Sequence, residues 1–119
     1  MSLRLQRVRE LLKEEISHIL LREMKDPRLG FLTVTDVEVS ADLRHARVYV
    51  SVLGSKEEGQ ATMEALENAA GFVRRTLGER VRLRYIPELV FVYDPTVEKA
   101  ARLERLLASI RSSKEGGSS

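Results

Sequence analysis

Asn68-Ala69-Ala70-Gly71-Phe72-Val73-Arg74-Arg75 sets small residues inside a helical pattern and then opens onto a pair of arginines. Met63, Leu66 and Ala70 recur at helical spacing before it, and Val73 and Leu77 continue the stripe after it, so a helix is expected on each side of Gly71. A glycine inside a helix costs roughly 1 kcal/mol relative to alanine. Its place beside two alanines points to a kink or a close backbone approach, with a plain packing contact as the alternative. The first of the two helices begins near Lys56. There Ser55-Lys56-Glu57-Glu58 forms a capping box, and its acids suit a helix N-terminus. The second is expected to stop near Gly78.

Working outward, Leu5, Val8, Leu12, Ile16 and Ile19 make a 3.6-residue stripe, so residues 3–24 read as an amphipathic helix that Asp26-Pro27 and Gly30 end in a turn. Phe31–Val39 is rich in β-branched residues and reads as a strand. Its apolar positions have mixed phase: Phe31, Thr33, Thr35, Val37 and Val39 share one face, and Leu32 and Val34 the other. That pattern permits a bulge near Thr35-Asp36. After the short connection Ser40–Arg44, the alternation of Ala46, Val48, Val50 and Val52 predicts a second, half-buried strand in an antiparallel hairpin. Val81 and Leu83 alternate with Arg82 and Arg84. Leu89–Tyr93 is a third strand, apolar on both faces, which suggests cover on both sides or a small helix on the second face. Asp94-Pro95 then caps a last helix carrying Val97, Ala100, Leu103, Leu107 and Ile110. The order is that of an α+β domain with a small sheet covered on one face.

A chain of 119 residues suits one domain. The absence of cysteine excludes a disulfide framework and a thiolate site and fits a cytoplasmic setting. No apolar run approaches the ~18 residues of a membrane span, and the start resembles no signal segment, so no membrane partner is expected. Net charge is only +2, but its distribution is uneven. Phe72–Ile86 holds five arginines against one acid, a local +4, whereas Gly54–Gly71 holds one lysine against four glutamates, a local −3. Such a division suggests a face that meets an anion. Fifteen of the 20 cations are arginine, which favours bidentate phosphate contact.

No phosphate loop, nucleophile elbow or zinc-protease motif is present. Asp36, Asp42 and Asp94 fall at strand edges or turns, where capping and solvation account for them. His18 and His45 stand singly, without a second ligand at metal spacing. What remains is a cationic surface. Five arginines each meeting a duplex phosphate would give a logarithmic salt slope of about −4.5.

Four stretches in order carry a family resemblance: Arg4-Leu5-Gln6-Arg7-Val8, Asp26-Pro27-Arg28-Leu29-Gly30, Ala69-Ala70-Gly71-Phe72-Val73-Arg74, and Pro87-Glu88-Leu89-Val90-Phe91-Val92-Tyr93-Asp94. Together, over nearly the whole chain to about Ile110, they resemble bacterial ribosome-binding factor A. The resemblance implies a single KH domain of type II topology over residues 1–111, with a kink between its two central helices and an additional C-terminal helix; the polar, glycine- and serine-rich composition of 112–119 marks a disordered tail. The resemblance also implies a non-catalytic assembly factor, monomeric when free, that binds the small (30S) ribosomal subunit and its 16S rRNA during late maturation. Such a factor assists rRNA processing and folding and is needed most in the cold. No cofactor, metal or small-molecule substrate is implied.

KH modules usually clamp a single strand with G-x-x-G, and none of the seven glycines stands three from another. The family's break is Ala-x-Gly, which Ala69-Ala70-Gly71 fits. Recognition of folded rRNA by shape and backbone through the arginine face is therefore expected. The residues expected to dock the RNA are Arg4 and Arg7 on the first helix, Arg74 and Arg75 after the kink, and Arg80, Arg82 and Arg84 beyond them. Ala69, Ala70 and Gly71 would set the angle. The alternative is a protein-interaction module that uses the third strand or the last helix, with no direct RNA contact.

Overall fold

The alternation at Ala46, Val48, Val50 and Val52 builds the middle of the molecule. In the computed structural model, which describes residues 3–24, 31–95 and 103–110, these side chains are buried on one face of β2 (His45–Leu53). Strand β1 (Phe31–Val39) pairs with it antiparallel and β3 (Glu88–Tyr93) parallel, giving the order β1-β2-β3. The mixed phase of β1 is resolved by a bulge. Pairing passes from Val34 opposite Val50 to Asp36 opposite Tyr49, so Thr35 is the extra residue, and Leu32, Val34 and Val37 all face the core.

Helix α1 (Leu3–His18) buries Leu12 and Ile16, and a π-helical turn, Ile19–Glu23, follows it without a gap. The Met24 N–H donates to the Ile19 carbonyl at 3.2 Å, and the widened turn carries both Ile19 and Leu20 inward. The expected helix over 3–24 is thus present; the Asp26-Pro27 turn falls outside the described residues. Helix α2 (Lys56–Arg80) starts at the expected capping box. Ser55 Oγ accepts from the Glu58 N–H at 3.1 Å, and Glu58 Oε1 accepts from the Ser55 N–H.

Two expectations about α2 are corrected. Residues 69–71 do not divide it, since the helix runs unbroken for 25 residues, and it ends at Arg80 rather than Gly78. The reason is the stripe itself. Leu66, Val73 and Leu77 are buried on one continuous face that spans Gly71, and burying a leucine or valine is worth about 1.5–3 kcal/mol against roughly 1 for one glycine. Nor does Gly71 allow a close approach, because a Cβ built there would meet nothing within 4 Å.

The third strand is likewise not covered on both faces. Leu89 is buried and Phe91 half-buried against the core, but Val90 is 56% exposed on the other side. The last helix is present as α3 (103–110). Leu103, Leu107 and Ile110 are exposed on it, so that segment packs on neither face of the sheet; Val97, Ala100 and the tail at 112–119 lie outside the described residues.

Two glycines should respond oppositely to alanine. Gly71→Ala should raise unfolding free energy by about 0.5–1 kcal/mol. Gly54→Ala should lower it, because Gly54 holds φ +140° and its added Cβ would fall 2.8 Å from Glu58 Oε2. Urea titration reads both, and a destabilised Gly71→Ala would restore the case for a strained break.

Candidate nucleic-acid interface

Residues 81–87 connect α2 to β3 without regular structure and are pinned at intervals. Val81 and Pro87 are buried and Leu83 and Ile86 half-buried, which turns Arg82, Arg84 and Tyr85 outward. The inward and outward alternation read from the sequence is met here without a strand. Together with the β1–β2 turn and the start of α1, the segment walls a groove of about 350 Å³ lined by Arg4, Asp42, Leu43, Arg82, Arg84 and Tyr85, among others. Three of the arginines singled out from the sequence therefore meet across the fold.

The others divide by what they touch. Arg74 donates from Nη2 to the Ile86 carbonyl at 2.9 Å, which ties the connecting segment to α2 while leaving the positive charge uncompensated. Arg7 and Arg75 are exposed, and their side chains make no hydrogen bond or ion pair among the described residues. Arg80 is different. Its Nε donates to Glu15 Oε2 at 2.6 Å and its Nη1 to Glu23 Oε1 at 3.3 Å, so it joins the end of α2 to α1 and the π-turn, and the bond to Glu15 raises its pKa further. Two carboxylates already compensate it. Ala69 and Ala70 are half-buried and Gly71 exposed, in the same unbroken helix just ahead of Arg74 and Arg75.

Sequence reasoning passed over Arg44 and Tyr85. The Arg44 guanidinium lies 5.0 Å and that of Arg84 5.5 Å from the centre of the Tyr85 ring. An aromatic directly after the Arg82-Leu83-Arg84 run was the available signal; nothing local to Arg44 distinguished it. The turn that presents Arg44 is tightly specified. Asp42 Oδ1 accepts from Ser40 Oγ at 2.6 Å and from the Arg44 N–H at 3.0 Å, and these two bonds hold its carboxyl below the ordinary carboxylate range. Leu43 sits between them at φ +64°.

The remaining polar groups named from the sequence serve the scaffold. Asp36 accepts from Arg9 Nη2 at 2.6 Å and from the Val37 N–H at 2.8 Å, fastening α1 to the bulge. Asp94 accepts from Thr35 Oγ1 at 2.7 Å, and His45 lies 3.8 Å from Glu88. Among the described residues no three His, Asp or Glu side chains converge as a metal site, and no helix is long and apolar enough to cross a membrane.

The hydrogen bond from Arg9, opposed by partial burial, leaves the Asp36 carboxyl with a lowered pKa. A depressed carboxylate adds stability that is full above the unfolded value of about 3.9 and is lost as pH falls through the folded one. Wild type should accordingly exceed Asp36→Asn in stability at pH 6, and the gap should close toward pH 3. Denaturation curves that stay equally far apart at both pH values would exclude this pair as the cause.

A family model described as "Ribosome-binding factor A" matches residues 4–107. A ribosome-binding factor A of Halothermothrix orenii is 54% identical over 112 residues, covering 94% of this chain and 92% of the relative. Among solved structures, the crystal structure of ribosome-binding factor A from Thermus thermophilus aligns with TM-score 0.68 at 30% identity, over 75% of this chain and 93% of that one. A homology model of the Thermus thermophilus factor, fitted into a cryo-EM map of a 30S–RbfA complex, aligns with TM-score 0.62 at 31% identity, over 73% of this chain and 91% of that one.

Proposed function

The chain belongs to the ribosome-binding factor A family, and from that premise we propose that it binds the small (30S) ribosomal subunit through its 16S rRNA as a non-catalytic assembly factor. The carrying observation is the groove where Arg4, Arg82 and Arg84, distant in sequence, converge without carboxylate partners among the described residues. Arg7, Arg74 and Arg75 extend the same positive character along α1 and α2, whereas Arg80 contributes mainly to holding the helices together. Binding energy acts by population shift. A conformer of immature rRNA that fits this surface is favoured over its competitors, and no bond is broken. That is how the protein assists rRNA processing and folding late in maturation. The need is greatest in the cold, where alternative RNA pairings persist longest. It works in the cytoplasm, as a monomer when free, with residues 1–111 as its KH-like working unit.

A second reading draws on α3, where Leu103, Leu106, Leu107 and Ile110 are all exposed. An unpartnered apolar stripe of this kind suits contact with protein. Ionic strength separates the two, since a contact carried by phosphates weakens steeply with salt and an apolar one does not.

Charge reversal at Arg75 and Arg82, two exposed positions, should leave the circular dichroism spectrum unchanged and abolish cosedimentation with 30S subunits at physiological salt. Retained cosedimentation of Arg75→Glu/Arg82→Glu would sink the arginine face as the contact and favour α3. Arg80→Ala should behave otherwise, lowering the melting temperature at low salt more than in 1 M salt.

A further inference from the structure

We propose that Tyr85, together with Arg44 and Arg84, forms a seat for one unpaired RNA nucleotide at the mouth of the basic groove. The inference rests on the rRNA-binding reading above and names what that surface takes. Both guanidinia lie within 5.5 Å of the ring centre, a distance at which the quadrupole of the ring attracts a cation. Neither guanidinium makes a hydrogen bond or ion pair among the described residues, so the ring holds the charges in place while their N–H donors remain open to a phosphate. Tyr85 itself is 47% exposed, and its hydroxyl makes no hydrogen bond among the described residues.

The groove behind it is not a uniform cationic surface. Leu43, Leu83 and Pro87 supply apolar lining, Arg4 and Arg82 supply charge, and Asp42 is the single acid among the described residues that line it. Asp42 Oδ1 is occupied by Ser40 and the Arg44 N–H, but Oδ2 makes no hydrogen bond among the described residues and can accept from a base amino group or a 2′-hydroxyl. A duplex backbone would leave the apolar lining unused and would set a phosphate near that carboxylate. A base turned out of its stack uses all three elements. The π-face or edge of Tyr85 meets the base, the arginines meet its flanking phosphates, and Asp42 meets a donor. The volume, about 350 Å³, falls at the lower end of the range of about 300–1,000 Å³ typical of small-ligand sites.

The backbone carries a further sign. Leu43 lines the groove at φ +64°, a left-handed conformation that costs a leucine energy and that the Ser40 and Asp42 hydrogen bonds enforce. Strain of this kind concentrates where a loop is shaped for a ligand.

The test compares a fluorescently labelled single-stranded RNA of ten nucleotides with a ten-base-pair RNA duplex, read by polarisation at fixed salt. The single strand should bind more tightly. Tyr85→Ala should weaken single-strand binding about tenfold, the scale of one lost base–aromatic stack, while Tyr85→Phe stays within about twofold of wild type. Arg44→Gln with Arg84→Gln should flatten the logarithmic salt slope by about 1.4, for two phosphate contacts to a single strand. Equal binding by Tyr85→Ala and wild type, or a duplex bound as tightly as the single strand, would overturn the seat. Cosedimentation keeps the two ideas apart: 30S binding by wild type that Tyr85→Ala fully retains removes the seat alone, whereas wild type that never cosediments removes the assembly-factor reading.

Discussion

The parallel pairing of β3 with β2 is the constraint on which the rest depends. A parallel neighbour must begin at the same end of the sheet, so the chain leaving β2 at Leu53 has to travel back to the level of His45 before Glu88 can pair. Helix α2 makes that return. Its 25 residues span about 37 Å at 1.5 Å each, against about 30 Å for the nine residues of β2 at 3.3 Å each. The helix therefore reaches the far end of the sheet in one piece, and residues 81–87 turn the chain into β3. Glu88 donates its N–H to the Arg44 carbonyl at 2.8 Å, which brings the connecting segment against the β1–β2 turn. The groove is a consequence of that closure. The crossover sets residues near 84 beside those near 43, and α1, packed against β1, brings Arg4 to the same end of the sheet.

Two kinds of arginine result. Arg9 and Arg80 are engaged within the fold: one fastens α1 to the bulge through Asp36, and the other fastens the end of α2 to α1 through Glu15 and Glu23. Arg4, Arg44, Arg82 and Arg84 surround the groove and its aromatic edge, and their guanidinia make no hydrogen bond or ion pair to a carboxylate among the described residues, although Arg44 lies within the field of Asp42. A net charge of +2 conceals this division, because among the described residues several of the balancing acids, such as Asp36, Glu15 and Glu23, are engaged with structural arginines. The cations around the groove are thus left open to an anion, while Arg9 and Arg80 are already engaged in joining the helices to the rest of the fold.

The bulge at Thr35 has a similar double role. It keeps Leu32, Val34 and Val37 on the core face, and Thr35 Oγ1, 2.7 Å from Asp94 Oδ2, ties the end of β3 to β1. One extra residue thus reconciles an irregular apolar pattern with a three-stranded sheet and holds Asp94 just beyond the end of β3.

Much of this could be read from the residues in order. The capping box at Ser55 and Glu58, the alternation along β2, the mixed phase that permitted a bulge and the stripe of α1 are local signals, each written in spacing or in turn chemistry. The four ordered stretches carried the family, and the arginines carried the sense of the charge. What local reading misjudged was Gly71, because a propensity cost of about 1 kcal/mol is visible in the sequence whereas the buried stripe that outweighs it depends on what α2 packs against. It also passed over Tyr85 and Arg44, which lie far apart along the chain and became partners only when β3 returned beside β2. The sequence by itself determined which elements form and where positive charge accumulates, since propensity, periodicity and charge are properties of neighbouring residues. Only the tertiary structure decided which arginines are compensated and which are free, because that depends on pairings such as Arg80 with Glu15 that the folded packing alone brings within reach.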